Sequence, residues 1–188
     1  MNDPNPHLVE RMQGHRLSIF AEMSMLALET GAINLGQGFP DTDGPSEVLD
    51  AAVAAIRAGH NQYPPDRGIP ELRQAVADHQ RRFYGLDVDP ADVMVSTGAS
   101  EALGASILAL VEPGQEVVVF EPYFDLYAAI IELAGGVRRS VTLRAPDYSF
   151  DEADLEAAIG PDTRLILLNT PHNPTGKVFS SDELAAIA

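Results

Sequence analysis

Short apolar segments alternate with amphipathic helical segments from about residue 45 onward, and this alternation restricts the fold more than any other feature of the chain. The segment Arg164 to Leu168 is typical of a strand that is buried on both faces of a parallel sheet. Similar short segments predict further strands at 93–95, 117–120 and 137–143. Since strand and helix signals alternate, we predict an α/β layer fold with a mostly parallel sheet.

Helices are predicted where apolar residues recur with the spacing that places them on one face of an α-helix. The predicted helices are 45–57, 70–84, 100–110, 123–134 and 151–159. Ser180 and Glu183 have the spacing of a capping box, which predicts one more helix after them. Residues 1–44 lack the alternation, so we predict that they form an N-terminal arm and the start of a small domain, and that residues 45–188 belong to a larger domain.

The charge and the residue composition exclude several classes of function. The formal net charge is −16, and such a surface repels nucleic-acid backbones and anionic lipids, so we predict neither a nucleic-acid nor a membrane partner. The sequence has no cysteine, which excludes disulfides and thiolate chemistry and is compatible with a cytoplasmic location. No secretory signal is visible at the N-terminus. The histidines are scattered and predict no metal site, and His172 is expected to be a solvent-exposed loop residue.

A polar turn rich in proline and glycine follows the apolar segment that ends at Leu168. Its sequence from Asn169 to Lys177 is Asn-Thr-Pro-His-Asn-Pro-Thr-Gly-Lys. Ligand sites in such folds form at the carboxyl edge of the sheet, where Asn169 and Asn173 would lie. The prolines and Gly176 favour a stiff turn, and an amide at Asn173 can both donate and accept hydrogen bonds. The pattern therefore favours a small-molecule site, although a plain strand-to-helix connection would have a similar sequence.

Two other strand exits carry candidate site residues. Gly98, Ala99 and Ser100 are small residues at the predicted start of a helix, where free amides and the helix dipole favour a phosphate group. A turn of small residues can equally serve close packing. Phe124 lies in the segment Glu121-Pro122-Tyr123-Phe124 after the strand at 117–120, where an aromatic side chain either faces a ligand or belongs to the core.

These segments together resemble the motifs of the class I/II aminotransferases, the fold-type I enzymes that use pyridoxal 5'-phosphate (PLP). The turn at Asn173 resembles the Asn-Pro-x-Gly turn of the family, and the segments at Gly98 and Phe124 precede it in the family order. The resemblance implies a three-layer α/β fold, in which residues 45–188 are the first part of the PLP-binding large domain. It is closest to the branch that contains kynurenine, glutamine, methionine and actinobacterial N-succinyldiaminopimelate aminotransferases.

The resemblance also implies a role for each candidate residue. Gly98, Ala99 and Ser100 would hold the PLP phosphate, Phe124 would stack on the pyridine ring, and Asn173 would bond the phenolic oxygen of PLP and lie near the substrate carboxylate. The segment from Asn34 to Pro40 is similar to the loop that contacts the substrate carboxylate through its backbone, which assigns Gly38 to substrate binding. Tyr63, in Asn61-Gln62-Tyr63, would reach the phosphate of the PLP that the neighbouring subunit binds. This role implies a homodimer with shared active sites.

The implied reaction is the transfer of an amino group from an amino acid to a 2-oxo acid. Lys177 is the only lysine of the sequence, and by the family pattern it is not the residue that forms the Schiff base with PLP. That lysine is expected downstream, so this segment has no catalytic residue of its own and is expected to be inactive alone. Two alternatives remain: a PLP-dependent carbon–sulfur β-lyase, and a truncated PLP-binding module without catalytic activity.

Overall fold

The structure is a computed structural model that describes residues 6–14, 19–38 and 40–188. It divides into two compact units, which we describe separately. The sheet unit consists of Met1–Gly31 and Ser100–Ala188, and the helical unit consists of Ala32–Ala99. The predicted boundary between residues 44 and 45 refers to the domains of a longer protein and remains a prediction.

The described residues contain α-helices, three strands and two short 3-10 helices. The α-helices are α1 (Ile19–Thr30), α2 (Ser46–Arg57), α3 (Pro70–Tyr84), α4 (Gly98–Leu110), α5 (Leu126–Leu133), α6 (Glu152–Ala158) and α7 (Ser181–Ile187). The strands are β1 (Glu116–Glu121), β2 (Val137–Thr142) and β3 (Thr163–Leu167), and the 3-10 helices are Glu10–Met12 and Pro90–Asp92.

The three strands form one parallel sheet in the order β2-β1-β3. Side chains of the central strand β1 alternate between two hydrophobic clusters, because successive residues of a strand point to opposite faces. On one face Val117 and Val119 pack with residues of α4 and α5, and on the other Val118 and Phe120 pack with a second cluster. The second cluster includes Val141, Leu155 of α6 and Phe179, and residues of α7 pack against it. Helices therefore cover both faces, and the predicted three-layer parallel α/β fold is confirmed.

Most predicted elements are present with small shifts at their ends. The helix at 70–84 has the predicted bounds, and it ends at Gly85, whose φ of 67° is left-handed. The capping box is also confirmed, because the Ser180 hydroxyl accepts a hydrogen bond from the backbone N–H of Glu183 and the Glu183 side chain accepts one from Ser180. Helix α5 begins at Leu126, three residues later than predicted.

One prediction about the N-terminal half was wrong. Residues 93–95 were expected to form a strand, but no strand is present there, and the backbone N–H of Val95 instead donates to the carbonyl oxygen of Arg67 at 3.2 Å. The assignment of residues 1–44 to an N-terminal arm and the start of a small domain stays a prediction, and within them the structure contains α1, for which no helix was predicted. The sequence of α1 is apolar around most of its circumference, so it lacks the one-sided pattern by which an amphipathic helix is recognised.

Candidate functional site

The turn after β3 holds the backbone of Asn173 at the carboxyl edge of the sheet. The Asn169 side-chain oxygen accepts a hydrogen bond of 2.8 Å from the backbone N–H of Asn173. The turn is closed by two backbone bonds of 2.7 Å, from His172 N–H to the Lys177 carbonyl and from Gly176 N–H to the His172 carbonyl. Gly176 has a φ of 74°, which a residue with a side chain rarely adopts.

The side chain of Asn173 is exposed, and within the described part of the chain its amide makes no hydrogen bond. An amide in this position offers both a donor and an acceptor to a ligand. The turn thus fixes the backbone and leaves the chemical group of Asn173 available.

Phe124 lies four residues after Phe120, at the same edge of the sheet. Strands β1 and β3 are hydrogen-bonded neighbours and parallel, so their carboxyl ends are adjacent. The Phe124 side chain is half-buried, and its ring centroid lies 5.9 Å from that of Tyr127 and 6.2 Å from that of Phe20. No sequence pattern singles out Phe20, because it reaches Phe124 from the unpredicted helix α1. The sheet unit therefore brings the segments of Phe124 and Asn173 to one edge.

The predicted phosphate-binding residues form the first turn of α4. Gly98 has a φ of 77°, and a Cβ placed on it would meet no atom within 4 Å. The backbone N–H groups of Ala99 and Ser100 have no partner among the residues whose placement is described, and all three residues are exposed. Free amides at the start of a helix of 13 residues fit an anionic group. The boundary between the two units falls between Ala99 and Ser100.

Gly38 and Tyr63 belong to the helical unit. Gly38 is exposed, and a Cβ built on it would have open space around it. Phe39, which belongs to the same motif, lies outside the described residues. Tyr63 is 99% exposed, at the end of a loop in which the Asn61 side-chain amide donates to the Ile56 carbonyl at 3.2 Å. An aromatic side chain that is almost entirely exposed is available to a ligand or to a second subunit.

His172 contradicts its expected exposure, because only 4% of it is accessible to solvent. Its Nδ1 lies 2.8 Å from the Thr175 hydroxyl oxygen and its Nε2 lies 3.4 Å from the carbonyl oxygen of Phe120. Burial lowers the pKa of His172, an effect that the bond to Phe120 opposes and the nearby ammonium of Lys177 reinforces. The expectation of an exposed histidine was wrong because the ring is covered by the hydrophobic side chain of Phe179, 6.2 Å away between centroids.

Lys177 is held by an acidic residue of α7 and by an aromatic ring. Its Nζ lies 2.7 Å from Oε1 of Glu183 and 5.3 Å from the ring centroid of Phe179, and its side chain is only 9% exposed. Burial alone raises the pKa of Glu183, but the hydrogen bonds from Lys177 and Ser180 outweigh it and hold the pKa below its usual range. The only lysine of the sequence is therefore engaged in fixing the turn against α7.

Replacement of Lys177 by Met is expected to lower the free energy of unfolding by about 1 kcal/mol at pH 7, after allowance for solvent screening. Because the folded pKa of Glu183 is lowered, the stabilisation by the pair is present above the ordinary glutamate pKa of about 4.3 and is lost as the pH falls through the folded value. Denaturant unfolding of both proteins from pH 7 to pH 3 measures this difference. Lys177→Arg is the control, since it retains the charge, and an equal loss in that variant at pH 7 would contradict the pairing.

A metal site and a membrane-spanning helix are both absent from the described residues. Within residues 6–14, 19–38 and 40–188, no three His, Asp or Glu side chains are grouped so that they could hold a metal ion. Over the same residues, every helix is too short or too polar to cross a membrane.

Comparison with known proteins identifies relatives for nearly the whole chain. Residues 30–188 match the family model described as aminotransferase class I and II. The probable N-succinyldiaminopimelate aminotransferase of Mycobacterium tuberculosis is 50% identical over 184 residues, which cover 96% of this chain and 46% of that protein. The methionine aminotransferase of Escherichia coli is 43% identical over 171 residues, which cover 90% of this chain and 44% of that protein.

The solved structures agree with the sequence relatives. The structure of N-succinyldiaminopimelate aminotransferase from Mycobacterium tuberculosis superposes with a TM-score of 0.91 at 49% identity and covers 96% of this chain and 48% of that one. The chain spans about half the length of the curated relatives that it matches. The match of the family model over residues 30–188 confirms the resemblance seen in the motifs, and the chain belongs to the class I and II aminotransferase family.

Proposed function

We propose that the complete protein is a PLP-dependent aminotransferase, which transfers an amino group from an amino acid to a 2-oxo acid. The observation that carries this proposal is the side-chain amide of Asn173, which is exposed and has no protein partner in the described structure, while Asn169 bonds the backbone N–H of the same residue at the sheet edge. It stands in a chain that belongs to a family of aminotransferases. Lys177 is paired with Glu183, which supports our proposal that the Schiff-base lysine lies further along the complete protein.

The donor groups of the described residues fit the parts of PLP. We assign the phosphate to the amides of Ala99 and Ser100 and to the open space at Gly98, the ring to Phe124, and the phenolic oxygen to Asn173. PLP supplies an electron-accepting ring that takes up negative charge from the substrate carbon. These residues bind and orient the ring and its phosphate, and none of them moves a proton in our assignment.

We assign the substrate carboxylate to the backbone of Gly38 and to the Asn173 amide. The exposure of Tyr63 supports a further assignment, in which its hydroxyl reaches the PLP phosphate of a second subunit. The enzyme would then be a homodimer with shared active sites. We also propose that it is cytoplasmic, as predicted from the sequence.

The proposal is tested by assay of the complete protein with PLP, 2-oxoglutarate and amino donors. The names of the relatives suggest N-succinyldiaminopimelate, methionine and kynurenine as the first donors. An aminotransferase converts 2-oxoglutarate to glutamate in proportion to the donor consumed. A carbon–sulfur β-lyase would instead release pyruvate and ammonia without an acceptor, and a non-catalytic module would bind PLP without turnover. Either of these results would refute the proposal.

Replacement of Tyr63 by Phe in the complete protein is expected to raise the dissociation constant of PLP about tenfold, since one hydrogen bond to a charged phosphate is lost. The dissociation constant is measured by titration of the protein freed of cofactor. Tyr84→Phe is the matched control, because Tyr84 is also exposed and lies in the helical unit but is not assigned to PLP. Equal affinities of the Tyr63→Phe variant and the unaltered protein would exclude the shared site.

A further inference from the structure

His172 is the one buried polar residue recorded in the described structure, although the turn around it is mostly exposed. Both of its ring nitrogens have partners, Thr175 in its own turn and Phe120 in β1. Phe120 lies 52 residues earlier in the sequence, so the imidazole joins two segments that are distant along the chain. A buried polar group with two satisfied bonds is costly to disturb, which gives such a link rigidity.

The partners of His172 determine the direction of each hydrogen bond. The Phe120 carbonyl oxygen can only accept, so the proton must be on Nε2. The Thr175 hydroxyl oxygen accepts from the backbone N–H of Lys177 at 3.2 Å, and its own proton is then available to Nδ1. The result is a continuous chain of donors from Lys177 through Thr175 and His172 to Phe120. It requires a neutral imidazole, which agrees with the lowered pKa of His172.

The two segments that His172 joins carry different candidate contacts to the cofactor. Asn173 follows His172 directly, and Phe124 follows Phe120 after the Glu121-Pro122-Tyr123 segment. The pairing of β1 with β3 ends at Val119 and Leu167, so no strand hydrogen bond connects the two segments beyond that point in the described sheet. The imidazole bridge lies past the end of this pairing and continues the connection between the segments.

We propose that His172 is a positioning residue that fixes the distance between the ring-stacking Phe124 segment and the Asn173 turn by bridging Thr175 and the Phe120 carbonyl. This inference rests on the proposed function, since it takes Phe124 and Asn173 as contacts to PLP. In this assignment His172, which is buried, contacts neither the cofactor nor the substrate. It acts through the backbone of the two segments, which a merely space-filling residue would not do.

The bridge is tested first without cofactor, by amide hydrogen exchange of the complete protein freed of PLP. His172→Phe retains a ring but has no N–H donor, and we expect exchange in both segments, 120–125 and 172–178, to become about fivefold faster. His172→Gln retains a donor of similar reach, and we expect it to restore exchange to within about twofold. Faster exchange in the turn alone, with 120–125 unchanged, would overturn the proposal.

The matched control is Phe179→Leu. This substitution removes the ring that packs on His172 and on Phe120, but it leaves the donor and acceptor groups of both hydrogen bonds of the imidazole. We expect it to lower the melting temperature and to speed exchange in 120–125 clearly less than His172→Phe does, since the contact with Phe120 is lost but the imidazole bridge remains. If Phe179→Leu and His172→Phe change the exchange of both segments equally, His172 has only a packing role and the proposal fails.

The second readout is the dissociation constant of PLP. We expect His172→Phe to raise it about fivefold, His172→Gln to stay within about twofold of the unaltered protein, and Phe179→Leu to leave it unchanged. Equal losses in the Phe and Gln variants would overturn the positioning role. If the unaltered complete protein does not bind PLP, the proposed function fails, while the exchange experiment still decides whether His172 couples the two segments.

Discussion

Replacement of Asn173 by Ala in the complete protein is expected to lower kcat/KM about 100-fold, because the enzyme then lacks one hydrogen-bonding side chain that we assign to the phenolic oxygen of PLP and to the substrate carboxylate. Asn169 and the two backbone bonds of the turn hold the backbone of Asn173 in place, so only its exposed side chain has to orient when ligand binds. The loss should appear both in PLP affinity and in turnover, since Asn173 is assigned to the cofactor and to the substrate carboxylate. Steady-state kinetics with varied donor concentration at saturating PLP, and titration of PLP, measure the two effects separately.

Asn173→Asp separates the hydrogen bond from the shape of the side chain. The aspartate has almost the same volume, but an ionised carboxylate cannot donate and repels both a phenolate and a carboxylate. We therefore expect the Asp variant to be at least as impaired as the Ala variant. Activity close to that of the unaltered enzyme in the Asp variant would show that only the volume at residue 173 matters, and would sink our assignment of Asn173.

The strands of the sheet could be predicted because each is encoded by its own residues. The four residues Val117 to Phe120 are all buried, and they make a continuous apolar segment since both faces of β1 are covered by helices. The capping box at Ser180 and the stop at Gly85 could also be predicted, because a cap depends on residues within one turn. Local patterns therefore sufficed to predict the strands of the sheet unit and one end each of α7 and α3.

The burial of His172 could not be predicted, because its partner is a backbone carbonyl 52 residues away. A carbonyl group is common to all residues and leaves no mark in the sequence. The contact between Phe20 and Phe124 was missed for a related reason, since α1 has no one-sided apolar pattern. The predicted strand at 93–95 has strand-forming residues, but a strand also needs a neighbour, and none of the described strands pairs with it.

Because residues 93–95 form no strand, Val95 is held instead by contacts with Arg67 and Gly68. The backbone N–H of Val95 donates to the Arg67 carbonyl, and the Val95 side chain packs against the next residue, Gly68. A Cβ at Gly68 would lie 2.6 Å from Cγ2 of Val95 and 2.9 Å from its Cβ, distances at which atoms repel strongly. Gly68 follows the Tyr63 loop, and Val95 leads to the amides at the start of α4, so this contact holds two of the proposed phosphate-binding segments together within the helical unit.

Replacement of Gly68 by Ala is therefore expected to lower the free energy of unfolding by about 3 kcal/mol, from the clash with Val95 and from the φ of 92° together. Gly59→Ala is the matched control, because Gly59 has a similar φ of 89° but nothing within 4 Å of its Cβ position, and it should cost only about 1–2 kcal/mol. Denaturant unfolding of both variants of the complete protein gives the difference. The Gly68 variant should also bind PLP more weakly, whereas the Gly59 variant should not. Equal destabilisation by the two substitutions would mean that the positive φ alone explains the loss of stability at Gly68. The contact with Val95 would then not hold the phosphate-binding segments in place.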